Sequence, residues 1–418
     1  MGKESRFDTI VVGGGAAGMI AAWRSGLVGA RTLLLEKTSR LGTKILMSGG
    51  GKCNITHSGN TEDVLSAFTA EEARFLRPSS YLFGNKEIIS LLGKHGVEVY
   101  TREDGRVFPT SGNAKQVVDA LSECLREAHV AVKKNCAVTG LQSADGEIFG
   151  VCSGDEIFGA KAVVIAVGGS SYPTSGTTGD GWKWAQSLGH KIAPVRAALA
   201  PIYLVEPAAL AGVALRDVTL KAKTEASKTI KRRGDLLFTH KGISGPVTLS
   251  ISESVAEIMP GGEVRLSVDL IPDEPPEATD LRLIETSRLS PNRSVVSLLP
   301  AGLPERVGST LLAAAGLDPV TSLASLKAVD RKRLTGMLRN WDIGAVKAVP
   351  LEKGECVAGG VTLAEVNPRS LESSMVRGLF FCGEMLDIAG PVGGYNLFAA
   401  FATGFLAGES AAKRAISP

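Results

Sequence analysis

The stretch that decides the fold is FDTIVVGGGAAGMIAA, residues 7–22. The apolar run Asp8–Val12 predicts a short strand, the small-residue segment Ala16–Leu27 predicts a helix, and Thr32–Leu35 predicts a second strand. The pattern G-x-G-x-x-G stands between the first strand and the helix. This order of strand, glycine turn, helix and strand is typical of the Rossmann-like unit that binds a dinucleotide.

Each glycine of this turn has a physical role. Gly13 permits the tight turn, Gly15 lets the backbone approach a pyrophosphate, and Gly18 lets the helix pack closely on the strand. Glu36 ends the second strand, eighteen residues after Gly18, where its carboxylate can accept hydrogen bonds from ribose hydroxyls. The sequence therefore predicts a dinucleotide site.

The C-terminal part of the chain indicates which dinucleotide binds. Leu379–Cys382 predicts a strand, a polar loop with Asp387 follows, and Gly393-Gly394 precedes a helix of small and apolar residues. This is a second helix N-terminus placed to face an anionic group. A flavin dinucleotide extends past the first turn and must be held by a distant segment, so this return of the chain favours FAD.

A third glycine cluster lies in the middle of the chain. The apolar strand Ala162–Ala166 leads into Gly168-Gly169, the loop SSYPTSGTTGDGW and a helix expected from Trp182 to Leu188. This order is similar to the arrangement of fumarate-reductase-type flavoproteins, in which the strand and the glycine pair pass close to FAD.

Composition excludes several classes of protein. The chain has 418 residues, is 44% hydrophobic and carries a net charge of +3, which suits a globular protein of two or three domains. So small a charge argues against a broad nucleic-acid or membrane surface, and the basic cluster at residues 228–233 is interpreted as a solvated turn. No signal peptide or membrane span is predicted, and six scattered cysteines without C-x-x-C suit a reducing compartment, so we expect a cytoplasmic protein.

The loop LMSGGGKCNITHSG, residues 46–59, admits three interpretations. A phosphate-binding P-loop fails, because Leu46 stands where a glycine is needed and Cys53 stands where a hydroxyl is needed. A redox dithiol fails because the next cysteine is Cys124, so Cys53 is interpreted as a small buried residue. The third interpretation follows from a flavin fold, in which the loop behind Glu36 is expected to run beneath the pyrophosphate and ribityl chain of FAD, with glycine N–H groups and the charge of Lys52 facing it.

Five blocks then carry a family resemblance: GTKILMSGGGKCNITH, GRVFPTSGNAKQVVDAL, LFTHKGISGPVTLSIS, AGGVTLAEVNPRSLES and CGEMLDIAGPVGGYNLFAAF. In this order, over nearly the whole chain, they resemble the YhiN/BaiN-like flavoproteins, often called aminoacetone-oxidase-family FAD-binding enzymes or NAD(P)/FAD-dependent oxidoreductases. The resemblance implies an α/β fold of the glutathione-reductase/fumarate-reductase type. Its Rossmann-like FAD-binding domain is made from both ends of the chain, residues 1–193 and 351–418.

The resemblance also implies two insertions, which the residue patterns support. Residues 194–271, with about 341–350, contain alternating β-branched runs and predict a β-rich domain. Residues 272–340 follow a proline-rich break and have helical spacing, which predicts a small helical subdomain.

Motif and resemblance together give the residues expected around FAD. They are Gly13, Gly15, Ala16, Ala17, Gly18, Glu36, Lys37, Lys44, Ser48, Gly49, Gly50, Gly51, Lys52, Cys53, Asn54, Val138, Gly168, Gly169, Gly383, Glu384, Asp387, Gly393, Gly394, Tyr395, Asn396 and Leu397. Two positions depart from the family pattern. Lys52 replaces an expected arginine and loses its planar fork, and Phe398 replaces an expected glutamine, which suggests an altered flavin or substrate edge.

Candidate catalytic residues are His240, in a glycine-proline loop that faces a possible pocket, and Tyr395, a possible hydrogen-bond donor near the flavin. His95, His129 and His190 each stand where a helical run ends, and they are interpreted as structural. The scattered histidines and cysteines give no metal spacing, so no metal is expected.

The predicted function is that of an FAD-dependent oxidoreductase that transfers a hydride between flavin and a small organic substrate. Oxidation of an amine or amino-ketone and reduction of an enoyl-type bond both fit. Two alternatives remain open: an FAD-dependent RNA-modification protein that uses the basic cluster, and a flavin-binding protein without turnover. Residues 100–350 contain no second G-x-G-x-x-G unit, so NAD(P)H is expected at most as a transient reductant.

Overall fold

The structure is a computed structural model that describes residues 5–207, 209–226 and 228–417. The chain divides into two compact units. The first unit is made of Met1–Arg196 and Glu355–Pro418, and the second of Ala197–Gly354. The β-rich and helical insertions, which the sequence analysis separated, lie together in the second unit.

The described strands are β1 (Ser5–Val12), β2 (Thr32–Leu35), β3 (Thr56–His57), β4 (Val99–Thr101), β5 (Arg106–Pro109), β6 (Ala131–Lys133), β7 (Gly140–Ala144), β8 (Glu147–Ser153), β9 (Glu156–Ile165), β10 (Arg196–Ala198), β11 (Ile202–Leu204), β12 (Ala214–Lys223), β13 (Ile230–Thr239), β14 (Gly242–Ser244), β15 (Arg265–Asp269), β16 (Trp341–Ala348), β17 (Cys356–Ala358) and β18 (Leu379–Phe381).

The described α-helices are α1 (Ala16–Val28), α2 (Thr43–Met47), α3 (Thr61–Leu65), α4 (Ala70–Leu82), α5 (Asn85–Lys94), α6 (Ala114–Glu127), α7 (Asp180–Ser187), α8 (Pro246–Ile258), α9 (Pro276–Leu289), α10 (Glu305–Ala314), α11 (Ala328–Arg339) and α12 (Tyr395–Ile416). The predicted start of α7 at Trp182 is two residues late, because the first turn is polar and carries no hydrophobic period.

A seven-stranded sheet forms the centre of the first unit, with the order β6-β2-β1-β9-β8-β7 and β18 paired to β9. β1 is parallel to β2 and to β9, and β9 is parallel to β18. All four residues of β2 are buried, which is typical of a strand covered on both faces of the sheet. The predicted α/β fold of the Rossmann type is therefore confirmed.

Helices α1 and α12 pack against each other at two glycines. A Cβ on Gly404 would lie 2.3 Å from the carbonyl oxygen of Ala17, and one on Gly408 would lie 2.1 Å from that of Ala21. Glycines four residues apart lie on one face of a helix, so this face lets the two backbones approach closely. The N- and C-terminal parts of the chain are thereby joined in one unit.

The second unit is a closed barrel with the strand order β11-β14-β13-β12-β15-β16. Its inward side chains, among them Leu220, Phe238 and Leu266, share one hydrophobic core with residues of the helical segment such as Leu311 and Leu334. The barrel and these helices therefore form one packed body, because each buries its apolar face against the other.

Within the part of the chain that the structure describes, no helix combines the length and the apolar character needed to cross a membrane.

Candidate flavin site

The carboxyl ends of four parallel strands meet at one edge of the central sheet. β1 ends before Gly13, β2 ends before Glu36, β9 leads to Gly168, and β18 leads to Gly383. In open α/β sheets, ligands bind outside the carboxyl ends of the strands. The fold therefore gathers three glycine clusters that are far apart in sequence.

The turn from β1 to α1 combines two crowded glycines with an open one. A Cβ on Gly13 would lie 2.5 Å from the carbonyl oxygen of Ala166, and one on Gly18 would lie 1.8 Å from that of Gly13. A Cβ on Gly15 would meet no atom within 4 Å. Gly15 is also the N-cap of α1 and makes no side-chain cap, so the positive end of this helix faces free space that an anionic group fits.

Glu36 supports this turn with both carboxylate oxygens. Its Oε2 accepts the Gly14 N–H at 2.7 Å, and its Oε1 accepts the Thr38 N–H at 2.7 Å. A carboxylate has about four acceptor positions, so capacity remains for ribose hydroxyls. The neighbouring Lys37 does not turn toward Glu36, because its Nζ pairs with Asp180 at 2.9 Å.

A second carboxylate, that of Glu384, makes contacts with three other segments of the site. Glu384 Oε1 accepts the Val357 N–H at 2.9 Å, and its Oε2 accepts the Gly169 N–H at 3.1 Å. The same oxygen lies 2.7 Å from Lys44 Nζ, which also donates to the Ser171 hydroxyl. The Glu384 side chain is 17% exposed, so three donors satisfy a largely buried charge.

The loop at residues 48–51 is a short 3₁₀ turn with left-handed glycines. Gly49 has φ 56° and Gly50 has φ 67°, conformations that cost other residues about 1–2 kcal/mol each. Cys53 follows at φ 60° and is fully buried. Burial raises the pKa of the Cys53 thiol to about 12, so it stays protonated at neutral pH and is a poor nucleophile.

Asn54 joins this loop to the start of α12. With its amide oriented to satisfy both partners, it accepts the Gly394 N–H at 2.9 Å and donates to the Thr56 carbonyl at 3.2 Å. Gly394 has φ 92°, and a Cβ there would lie 2.6 Å from Thr56, so the close approach requires glycine. The glycine loop and the α12 N-terminus therefore belong to one site.

Aromatic rings lie at this junction. Tyr395 stacks on His57, with ring centroids 4.9 Å apart and an interplanar angle of 16°, and meets Phe68 edge-on at 6.0 Å. Both ring nitrogens of His57 face backbone carbonyls, those of Ser58 and Asp104. Burial raises the pKa of the Tyr395 phenol, which keeps it protonated as a hydrogen-bond donor.

Asp387 and Arg196 interact electrostatically, and of these two residues only Asp387 was expected from the sequence. Burial raises the pKa of Asp387 despite a hydrogen bond from the Gly359 N–H at 3.0 Å, and Glu72 raises it further while Arg196 lowers it. Among the described residues, the buried Arg196 Nε has no hydrogen-bond partner. No motif marks Arg196 in the sequence, so only the folded chain reveals it.

The other expected residues have these surroundings in the structure. The side chain of Asn396 donates to and accepts from Gly390, which closes the loop ahead of α12. Phe398 is 1% exposed, so it belongs to the core, and the suggestion that it forms an edge of the site is not supported. Lys52 is exposed, and Val138 lies in an irregular segment between β6 and β7.

His240 is exposed in the turn between β13 and β14 of the second unit. His95 is the C-cap of α5, and His190 is buried between Ser373 and Glu365, at 2.8 and 3.2 Å. His129 follows the C-cap of α6. In the described part of the chain, no three His, Cys, Asp or Glu side chains are grouped closely enough to hold a metal ion.

Comparison with known proteins agrees with this geometry. The family profile described as HI0933-like protein Rossmann domain matches residues 7–410. The ribosomal RNA dihydrouridine synthase of Escherichia coli K12 is 34% identical over 396 residues, which cover 94% of each chain. The 3-dehydro-bile acid delta(4,6)-reductase of Clostridium scindens is 30% identical over 411 residues, which cover 97% of this chain and 98% of the relative.

Among solved structures, the 3-ketosteroid delta1-dehydrogenase of Sterolibacterium denitrificans is similar in fold. Its TM-score is 0.55 at 14% identity, and the match covers 97% of this chain and 99% of that one. The predicted resemblance is confirmed, since the profile and both relatives extend over more than nine-tenths of the chain. The chain belongs to the HI0933-like family of FAD-dependent, Rossmann-fold oxidoreductases.

Proposed function

We propose that the chain reduces a ring C=C bond conjugated to a carbonyl, with FAD held in the first unit. One observation carries this proposal: the two relatives described above are named for such a reaction. Dihydrouridine differs from uridine by saturation of the ring bond conjugated to a carbonyl, and a 3-dehydro bile acid with 4,6 double bonds is a conjugated dienone. The two substrates differ in size and polarity, but the reacting group is the same.

The residues of the site fit FAD. The open space at Gly15 and the uncapped N-terminus of α1 suit the pyrophosphate, and Glu36 suits the adenosine ribose. The Lys44–Glu384 pair and the loop at residues 48–51 suit the ribityl chain. When reduced and bound, FAD supplies the hydride for the reaction.

The protein must supply a proton and stabilise charge on the carbonyl oxygen. Conjugate reduction places a hydride on the β-carbon, and negative charge then develops on the oxygen until the α-carbon takes a proton. Tyr395 and Arg196 are donors suited to that oxygen. Asp387, whose pKa burial raises, is suited to hold the proton for the α-carbon.

The sequence limits the ways in which the flavin could be reduced. Without a second dinucleotide motif in residues 100–350, NAD(P)H would dock transiently or a different donor would reduce the flavin. Amine oxidation, which the sequence left open, is less favoured because neither relative is named for it.

A second candidate concerns the substrate: a uracil base within RNA. The Escherichia coli relative, at 34% identity, is named for ribosomal RNA. The basic strand β13, with exposed Lys231, Arg232 and Arg233, gives an RNA strand a surface to contact, although Arg233 is paired with Asp217 and Asp273. The net charge of +3 had argued against a broad nucleic-acid surface, but a local one requires only a few cations.

The test is anaerobic turnover of the chemically reduced holoenzyme with three acceptors: a 3-oxo-Δ4 steroid, uridine, and a ribosomal RNA fragment. We expect a product heavier by two hydrogen atoms from at least one of them, measured by mass spectrometry of the acceptor or of its nucleoside digest. The heat-denatured holoenzyme is the control. Reduction of none of the three, combined with bleaching of the oxidised flavin by an amino-ketone, would replace this proposal with amine oxidation.

A further inference from the structure

The second unit contains a cavity of about 700 Å³ with a cationic lining. It lies where β12, β13 and β15 meet the C-terminal end of α11. The described charged groups of the lining are Lys221, Lys231, Arg339 and Asp269. The lining therefore has three cations and one carboxylate, so the cavity carries an excess of two positive charges.

The strand pairing makes this excess costly. Lys221 and Lys231 stand directly opposite each other on β12 and β13, an arrangement of like charges that destabilises a sheet. Lys221 Nζ lies 3.3 Å from Asp269 and also donates to the Arg339 carbonyl at 2.8 Å. The two lysines are kept in register by a closed barrel, so neither can avoid the other by a shift of its strand.

Asp269 cannot neutralise the lining, because it is shared. Its carboxylate is 3.3 Å from Lys221 and 3.6 Å from Arg339 NH2, and its side chain is only 8% exposed. Arg339 is itself held in place, since its NH1 donates to the carbonyls of Ile271 and Glu274 at 2.7 and 2.6 Å. These contacts fix two of the three cations, Lys221 and Arg339, before any ligand arrives, and the cavity leaves room for an anion.

We propose that this cavity binds the phosphate backbone of an RNA strand. Lysine and arginine donors suit phosphate oxygens, and the Thr219 and Thr335 side chains add hydroxyls to the lining. Phe, Tyr and Trp are absent from the described lining, so the cavity positions a strand and does not read its bases.

A polyanion fits better than a single small anion, because the cations continue beyond the cavity. Lys223 and Lys228 are exposed on the same β12–β13 hairpin, and Lys223 lies two residues from Lys221, on the same face of β12. A row of cations can follow consecutive phosphates along a strand. This inference rests on the second candidate of the proposed function, in which the substrate is a uracil base within RNA. It adds a binding surface for that RNA in the second unit.

The test measures binding of a fluorescent single-stranded RNA oligonucleotide to the full-length holoenzyme by anisotropy at several KCl concentrations. Lys231→Glu is the main variant, because Lys231 is exposed and takes part in neither of the two Asp269 pairs. We expect about tenfold weaker binding at low salt, and Lys231→Ala should lower the slope of log Kd against log[KCl] by about 0.7. Lys231→Arg should bind within about twofold of the wild type, since it keeps the charge.

Lys327→Glu is the matched control. Lys327 is exposed at the other end of α11, about 18 Å from Arg339 along the helix axis, so this charge reversal should leave RNA binding within about twofold. Equal loss of binding in Lys231→Glu and Lys327→Glu would overturn the proposal, because net charge alone would then explain it. Displacement of the RNA by poly-glutamate at equal charge concentration would also overturn it.

Turnover of the wild-type holoenzyme with RNA distinguishes failure of the cavity proposal from failure of the proposed reduction of uracil in RNA. RNA binding that is indifferent to Lys231 refutes the cationic cavity as the binding surface, even where uracil in RNA is reduced. Binding that depends on Lys231, without reduction of any uracil, supports the cavity and refutes the RNA form of the proposed function.

Discussion

Replacement of Gly18 with alanine is expected to lower the free energy of unfolding by about 3 kcal/mol and to abolish FAD retention. The added Cβ would lie 1.8 Å from the Gly13 carbonyl oxygen, a backbone atom that cannot move without opening the β1–α1 turn. That turn also positions the N-terminus of α1, so stability and cofactor binding should fall together. Chemical unfolding and the flavin absorbance of the purified protein measure the two effects.

Two other glycines provide controls for this prediction. Gly15→Ala meets no atom within 4 Å, so it should cost less than about 1 kcal/mol of stability but weaken FAD binding at least about tenfold, since its Cβ enters the space assigned to the pyrophosphate. Gly93→Ala, exposed on α5, should leave both quantities unchanged or slightly improved. A Gly15→Ala protein that retains FAD as tightly as the wild type would show that the pyrophosphate lies elsewhere.

Replacement of Glu384 with alanine should have the second large effect. It removes the acceptor of the Val357 and Gly169 N–H groups and leaves the Lys44 ammonium without its partner. Each unsatisfied buried group costs about 1–3 kcal/mol, so we expect a loss of about 3 kcal/mol and flavin-free protein. Thermal unfolding and flavin content are the measurements, and Glu103→Ala, on an exposed turn of the same unit, is the control.

A double-mutant cycle tests whether Lys44 and Glu384 act as one element. Lys44→Met and Glu384→Gln should each weaken FAD binding, and the double variant should lose less than the sum by about 1 kcal/mol or more. Additive losses would indicate that the ion pair does not contribute as a pair, and that each residue acts on the flavin independently.

Local patterns predict much of the first unit. The run from Asp8 to Val12, the glycine turn and Glu36 lie within one short segment, so periodicity and spacing suffice to predict them. The C-terminal strand and helix can also be predicted from their local sequence patterns. The way these segments meet was not predicted by spacing: the Asn54–Gly394 contact and the Gly404–Ala17 approach join parts of the chain that are hundreds of residues apart.

The second unit was less predictable, because its structure also depends on contacts between segments that are distant in sequence. Alternation predicted strands, and helical spacing predicted helices, but neither indicates which strand pairs with which. The closed barrel, and with it the opposition of Lys221 and Lys231, depends on a register that only the folded chain defines. Arg196 was missed because a single arginine in a loop carries no pattern, whereas its buried Nε is evident once the fold is known.

The most direct test of the account is a single-turnover experiment on the wild-type holoenzyme. The FAD is reduced chemically under anaerobic conditions, excess reductant is removed, and an acceptor with a conjugated C=C bond is added while the flavin absorbance is followed. We expect the oxidised spectrum to return with a rate that saturates with acceptor concentration, with one saturated product formed per FAD. A flavin that stays reduced with the 3-oxo-Δ4 steroid, uridine and RNA, and is reoxidised only when oxygen is admitted, would contradict the account.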